Sequence, residues 1–140
     1  MDIPFPQMTD DTLDLTGTWD GTFSYKEVRG GPKTPFLATI NETSGLFSGT
    51  VTEPHRIGSR TMQAIIHGSR QGHRVSFSKD YEAVDHSYQS TVQYRGTMSG
   101  DGQVISGVWN IGSWSGVFEM TRSQGAVEAV EQKVGVEAEL

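Results

Sequence analysis

From Leu15 to Arg122 the chain breaks into eight short runs that alternate apolar and polar positions or carry β-branched and aromatic residues, each bounded by Gly, Pro, Asp or Ser. A period of two puts successive side chains on opposite faces of an extended backbone, so each run reads as a strand with one buried face. In the first, LTGTWDGTFSY, Trp19, Phe23 and Tyr25 share a parity, and Thr18, Asp20, Thr22 and Ser24 take the other. Phe36, Ala38 and Ile40 are in phase in the second run (34–42), and Phe47, Gly49, Val51 and Glu53 in the third (46–53). In the fourth, TMQAIIHGS from Thr61, Met62, Ala64 and Ile66 compete with Ile65 for the interior, and the first set is expected inside. The fifth, RVSFSKDY, turns Val75, Phe77, Lys79 and Tyr81 to one face, and the sixth, from Tyr88, aligns Tyr88, Ser90, Val92 and Tyr94. Ile105, Trp109 and Ile111 align in the seventh, against Val104 and Val108, and Trp114, Phe118 and Met120 align in the eighth.

Eight antiparallel strands in sequence order can close on themselves and so remove the exposed edges of an open sheet, with a lumen wide enough for one small ligand. The expected fold is therefore all-β, an eight-stranded antiparallel up-and-down barrel over 15–122. An acidic arm (1–14) precedes it and an acidic tail (123–140) follows, the tail either disordered or packed loosely as a short helix interrupted by Gly135. Alternate connections fall at opposite ends of such a barrel. Those around Thr43–Gly45, Arg70–His73 and Ser99–Gly102 are tight and contain Gly, which suits hairpin turns, so this end is expected to be closed, with Trp19 filling space above it. Those at 26–33, 54–60 and 82–87 are longer and charged, with only the connection at Gly112 short, which marks the mouth. Strand ends aimed at the mouth contribute Tyr25, Phe36, Glu53, Met62, Tyr81, Ser90, Trp109, Ile111 and Trp114, an aromatic cup with a few polar groups and the usual make-up of a small-molecule site.

The chain has 140 residues, enough for one domain with one core. Hydrophobic residues make up 34%, a modest supply that would suit a hollow interior, and the 17 glycines recur at short intervals as hairpin turns would place them. Cysteine is absent, which excludes disulfides, thiolate metal sites and cysteine nucleophiles. Residues 1–14 carry Asp2, Asp10, Asp11 and Asp14 with no base, and residues 123–140 carry four Glu against Lys133, which leaves the body close to neutral. No basic stripe offers phosphate neutralisation, so nucleic acid is not an expected partner. No run approaches the ~18 apolar residues of a membrane helix, and the acidic, polar start differs from the basic-then-apolar pattern of a signal peptide. A cytoplasmic protein with no membrane partner is the expectation.

Glu53 and Lys79 are charged residues whose parity points inward from strands separated by one neighbour. They read either as an internal ion pair or, if the lysine is desolvated, as a base or amine with an acid partner. Asp85 and His86 on a mouth loop, and His67 and His73 about a closed-end turn, read as solvated groups lacking a third metal ligand, so neither metal nor cofactor is expected. There is no phosphate-binding Gly loop, H-E-x-x-H or nucleophile elbow.

Gly17-Thr18-Trp19 resembles the G-x-W of the calycin barrels. The segments LTGTW (15–19), FSGTVTE (47–53), VSFSKDY (75–81), TVQYRG (91–96) and ISGVW (105–109) are more closely similar to avidin and streptavidin. The resemblance implies an eight-stranded meander barrel with a ligand at its open end, often in a dimer or tetramer. It further implies that Phe77, Trp109 and Tyr94 stand at the family's pocket aromatics and Ser90 at a pocket hydroxyl, while the next hydroxyl falls on Val92. Val51 and Glu53 stand in place of the Tyr and Ser that hold the ureido group, and Gly21 and Tyr25 in place of its Asn and Ser. Losing several neutral donors at net values of ~1 to 3 kcal/mol each argues for a ligand other than biotin.

The expected function is a binding barrel that holds a partly apolar small molecule in a cup of Tyr25, Val51, Glu53, Phe77, Lys79, Ser90, Tyr94, Trp109 and Trp114, with a homo-oligomer (dimer or tetramer) as a further expectation. The alternatives are a small cyclase- or isomerase-type enzyme using Glu53, Lys79 or Tyr94 for proton transfer, and a barrel plugged by its own side chains that acts through its outer surface or acidic tail.

Overall fold

The computed structural model describes residues 13–28, 30, 33–54, 61–82 and 91–123. These form the strands β1 (Gly17–Tyr25), β2 (Thr34–Thr43), β3 (Leu46–Pro54), β4 (Thr61–Gln71), β5 (Arg74–Tyr81), β6 (Val92–Met98), β7 (Val104–Ile111) and β8 (Trp114–Arg122). Each pairs antiparallel with its sequence neighbours, and β1 pairs with β8 through Phe23↔Phe118 and the flanking positions, so the sheet is a closed barrel in chain order. Closure satisfies both edges of every strand. The expected architecture is the one present.

Burial follows the alternation because a slip of one residue would turn every core side chain to water. Trp19 and Phe23, Phe36, Ala38 and Ile40, and Met62, Ala64 and Ile66 are all buried, while Ile65 faces out. In β7, Ile105 and Trp109 point inward and Val108 lies on the surface. Two aromatic residues depart from the pattern: Tyr25 and Trp114, at the strand ends nearest the mouth, are 40% and 48% exposed and form its rim instead of its lining. At these ends the barrel wall stops, so an inward parity no longer guarantees burial. The described part of the sixth strand begins at Val92, and Ser90, Tyr88, Asp85, His86, the arm 1–12 and the tail 124–140 lie outside the described residues.

The turn Ser44–Gly45 has positive φ at both positions, 52° and 83°, as a two-residue type I′ hairpin requires. Glycine, however, has a second use here. Gly21, Gly49, Gly68, Gly96, Gly107 and Gly116 lie within strands, and a Cβ on any of them would come within 3.0 Å of a neighbouring atom. At Gly21 the obstacle is the Phe36 ring, at Gly68 the Ser76 carbonyl, the Phe77 Cβ and the Phe47 ring, and at Gly116 the Ser24 carbonyl and the Trp109 indole, whereas Gly49 and Gly107 meet the neighbouring backbone at Thr39 and Arg95. These glycines make room for aromatic rings or for the close approach of a neighbouring strand in a narrow barrel, a role that the turn reading of glycine does not cover.

The closed end is filled by Leu13, Leu15 and Trp19, whose indole N–H donates to the Leu15 carbonyl at 2.9 Å. The Arg122 guanidinium lies 4.5 Å from the centre of the Trp19 ring and donates to the carbonyls of Asp14 and Gly102. Beneath this lid Glu42 on β2 and Arg70 on β4 form a buried ion pair at 2.7 Å, and Glu42 also accepts the Leu15 N–H at 3.0 Å. Arg70 donates onward to the Gly72 carbonyl at 2.9 Å, so the pair ties the segment before β1 to the β4–β5 turn.

Candidate functional site

The open half of the lumen is built from β3, β5, β6 and β7 with β1 closing the ring. Alternation brings Val51 and Glu53 inward from β3 and Phe77, Lys79 and Tyr81 inward from β5. The strand between them, β4, contributes Ala64, whose methyl leaves the space across which the longer side chains meet. Lys79 Nζ lies 2.9 Å from Glu53 Oε2, and the Tyr81 hydroxyl donates to Glu53 Oε1 at 2.7 Å. Lys79 is 2% and Glu53 5% exposed, so both charges are out of water. Such a pair holds only because each charge is compensated by the other and by further contacts.

Aromatic rings supply those contacts. Lys79 Nζ lies 4.9 Å from the ring centre of Phe23, 4.7 Å from Tyr81 and 5.3 Å from Tyr94, within range of cation–π attraction. Deeper in, Phe77 stacks on Tyr94 with centroids 4.6 Å apart and planes 6° from parallel. Phe118 meets Tyr94 edge-on at 5.1 Å. Burial pushes the Tyr94 phenol well above its ordinary range, with the Glu53 and Tyr25 charges adding to the effect. Burial raises Tyr81 likewise, opposed by the Lys79 charge and reinforced by Glu53. Both phenols are therefore neutral donors at physiological pH.

At the rim, Trp109 donates its indole N–H to the Ser24 carbonyl at 3.1 Å. Tyr25 sits edge-on to both Trp109, at 4.8 Å, and Trp114, at 5.6 Å. Of the residues that the pattern assigns to the cup, Val51, Glu53, Phe77, Lys79, Tyr94 and Trp109 are buried inside, Tyr25 and Trp114 stand at the rim, and Ser90 lies outside the described residues. Phe23 and Tyr81 join them around the lysine, and both were legible as inward by parity. The cavity lined by Phe36, Val51, Ile66, Phe77, Lys79 and Tyr94 measures about 10 Å³, room for about one water. The hollow interior anticipated from the modest apolar content is thus taken up, at this level, by rings and by the lysine stem.

Among the described residues no helix is long and apolar enough to cross a membrane, and no three His, Asp or Glu side chains gather into a metal-ligand set. No protein-family model matches the chain, and no curated protein does. What fold and site define together is a small closed β-barrel with a buried lysine–glutamate–tyrosine cluster, ringed by aromatics, in the half where β1 ends and β8 begins.

Proposed function

We propose that this protein is a small-molecule-binding barrel of avidin-like architecture whose ligand enters at the mouth and meets the Glu53–Lys79–Tyr81 cluster. The observation that carries this reading is the place of the buried Glu53–Lys79 pair beneath the Tyr25–Trp109–Trp114 aromatic group, whereas Glu42–Arg70 ties chain segments together at the other end. Well-packed apolar residues of similar volume would be equal or better for stability in such a position, so a charged cluster beneath an aromatic rim points to use rather than to scaffolding. The ligand's apolar part would rest against Trp109, Tyr25 and Trp114, with burial worth ~25 cal/mol per Å². The replaced ureido donors support a ligand other than biotin.

A homo-oligomer joins this proposal. Val108 and Val117 are cross-strand partners on the outer face of β7 and β8, both exposed, beside a shallow hollow of about 540 Å³ lined by Ser76, Arg95, Thr97 and Ser106. Native mass spectrometry of the full chain, before and after denaturation, tests both parts. A discrete small mass lost on denaturation supports the binding reading, and the subunit count reads the assembly. A bare barrel favours the second reading, a lumen filled by its own side chains, for which the cavity of about 10 Å³ speaks.

A further inference from the structure

The Lys79 head group occupies a place that selects for its charge. Three ring faces, from Phe23 on β1, Tyr81 on β5 and Tyr94 on β6, surround Nζ at 4.7 to 5.3 Å, and the Glu53 carboxylate on β3 completes the enclosure at 2.9 Å. Aromatic faces carry the negative side of the ring quadrupole, so three of them with a carboxylate and little water attract a cation and repel an anion. A lysine reaching into such an enclosure from its own strand is a tethered ligand. While its stem is in place the space beneath measures about 10 Å³, so a compound larger than water must exchange with it.

We propose that the open half of the lumen is an ammonium-recognition site with Lys79 as its built-in occupant, and that the compounds it admits are protonated primary amines which enter from the mouth and displace the Lys79 head. The inference rests on the binding reading above and adds the ligand's class. Charge balance decides that class. An incoming ammonium takes over Glu53 and the three rings while the four-carbon stem of Lys79 carries its own charge out to water, so one buried cation replaces another. An anion would meet Glu53 and the ring faces, and a neutral apolar compound would leave Glu53 buried without a counter-charge.

The substitution Lys79→Ala deletes the lysine beyond Cβ, a fragment that n-propylammonium reproduces. Calorimetric titration and melting of the full-length variant should show n-propylammonium chloride binding at least tenfold more tightly than 1-propanol, with a saturable rise in Tm that potassium chloride does not give. The preference should vanish in Lys79→Ala/Glu53→Gln, which has no buried carboxylate to compensate. Equal binding of the amine and the alcohol, or a preference that survives in the double variant, overturns the proposal. If Lys79→Ala does not fold alone, refolding is the readout: recovery of near-UV circular dichroism with n-propylammonium but not with 1-propanol supports the site, and recovery with both or neither overturns it. A wild-type barrel with no retained mass and no rise in Tm with n-propylammonium, beside an amine-selective variant, overturns the binding reading and with it the displacement of Lys79, and leaves the ammonium enclosure as a seat for Lys79 itself. A retained neutral or anionic compound without amine selectivity overturns the amine assignment alone.

Discussion

The indole N–H of Trp109 crosses β8 at Gly116 to reach the Ser24 carbonyl on β1, 3.1 Å away. A Cβ on Gly116 would stand 1.8 Å from that carbonyl oxygen and 2.7 Å from Trp109 Nε1, so the bridge across the seam exists because residue 116 has no side chain. Gly116→Ala is expected to lose about 1–3 kcal/mol from overpacking, and a further ~1 kcal/mol if the indole hydrogen bond breaks. Urea denaturation measures it. Glu119→Gln, three residues on and exposed, serves as the control and should stay within about 0.5 kcal/mol of wild type.

The Glu42–Arg70 pair holds the closed end. Glu42→Ala leaves the Arg70 charge buried without its partner and removes the acceptor of the Leu15 N–H, so a loss of about 3–5 kcal/mol is expected. Glu42→Leu/Arg70→Met removes both charges together and should be more stable than either single change. Denaturation midpoints of Glu42→Leu, Arg70→Met and the double variant check the ordering.

Alkaline pH should destabilise the barrel. Tyr94 and Tyr81 are both raised in the folded protein, so above pH about 10 the unfolded chain loses phenol protons that the folded one keeps. The unfolded state then binds fewer protons, and stability falls as pH rises, by up to ~1.4 kcal/mol per pH unit for each tyrosine. Below pH 10 this contribution is fully present. Tyr94→Phe should flatten the slope by about half, read from denaturation midpoints between pH 9 and 11. A slope unchanged by the substitution would assign the alkaline loss to other groups.

The two mouth tryptophans should separate stability from binding. Trp109 is buried and ties β7 to β1, so Trp109→Ala is expected to cost about 3–5 kcal/mol and to report on the fold. Trp114 is half exposed and its described ring contact is with Tyr25, so Trp114→Ala should lose only about 1 kcal/mol. Retained-ligand occupancy in native mass spectra should nonetheless fall in Trp114→Ala. Unchanged occupancy would remove the rim from the site.

Alternation is a local property, and it was enough to number the strands and sort nearly every inward residue. Phe77, Lys79, Glu53 and Tyr94 could all be assigned to the interior because a pleated strand sends every second side chain the same way. Even Glu42 and Arg70 share the parity of Phe36–Ile40 and Met62–Ile66, so the signal for a buried pair was present in the chain without its partner being evident. Pairing depends on register across strands: residues 26 and 28 apart in sequence meet only once the sheet has closed. The same holds for the glycines inside the strands, whose need becomes visible only when the ring of Phe36, Phe47 or Trp109, or a neighbouring backbone, is set against them. Whether the lumen is hollow or filled is the most collective quantity of all. It is the small difference between the volume eight strands enclose and the volume their inward side chains occupy, and no single segment of the chain carries it.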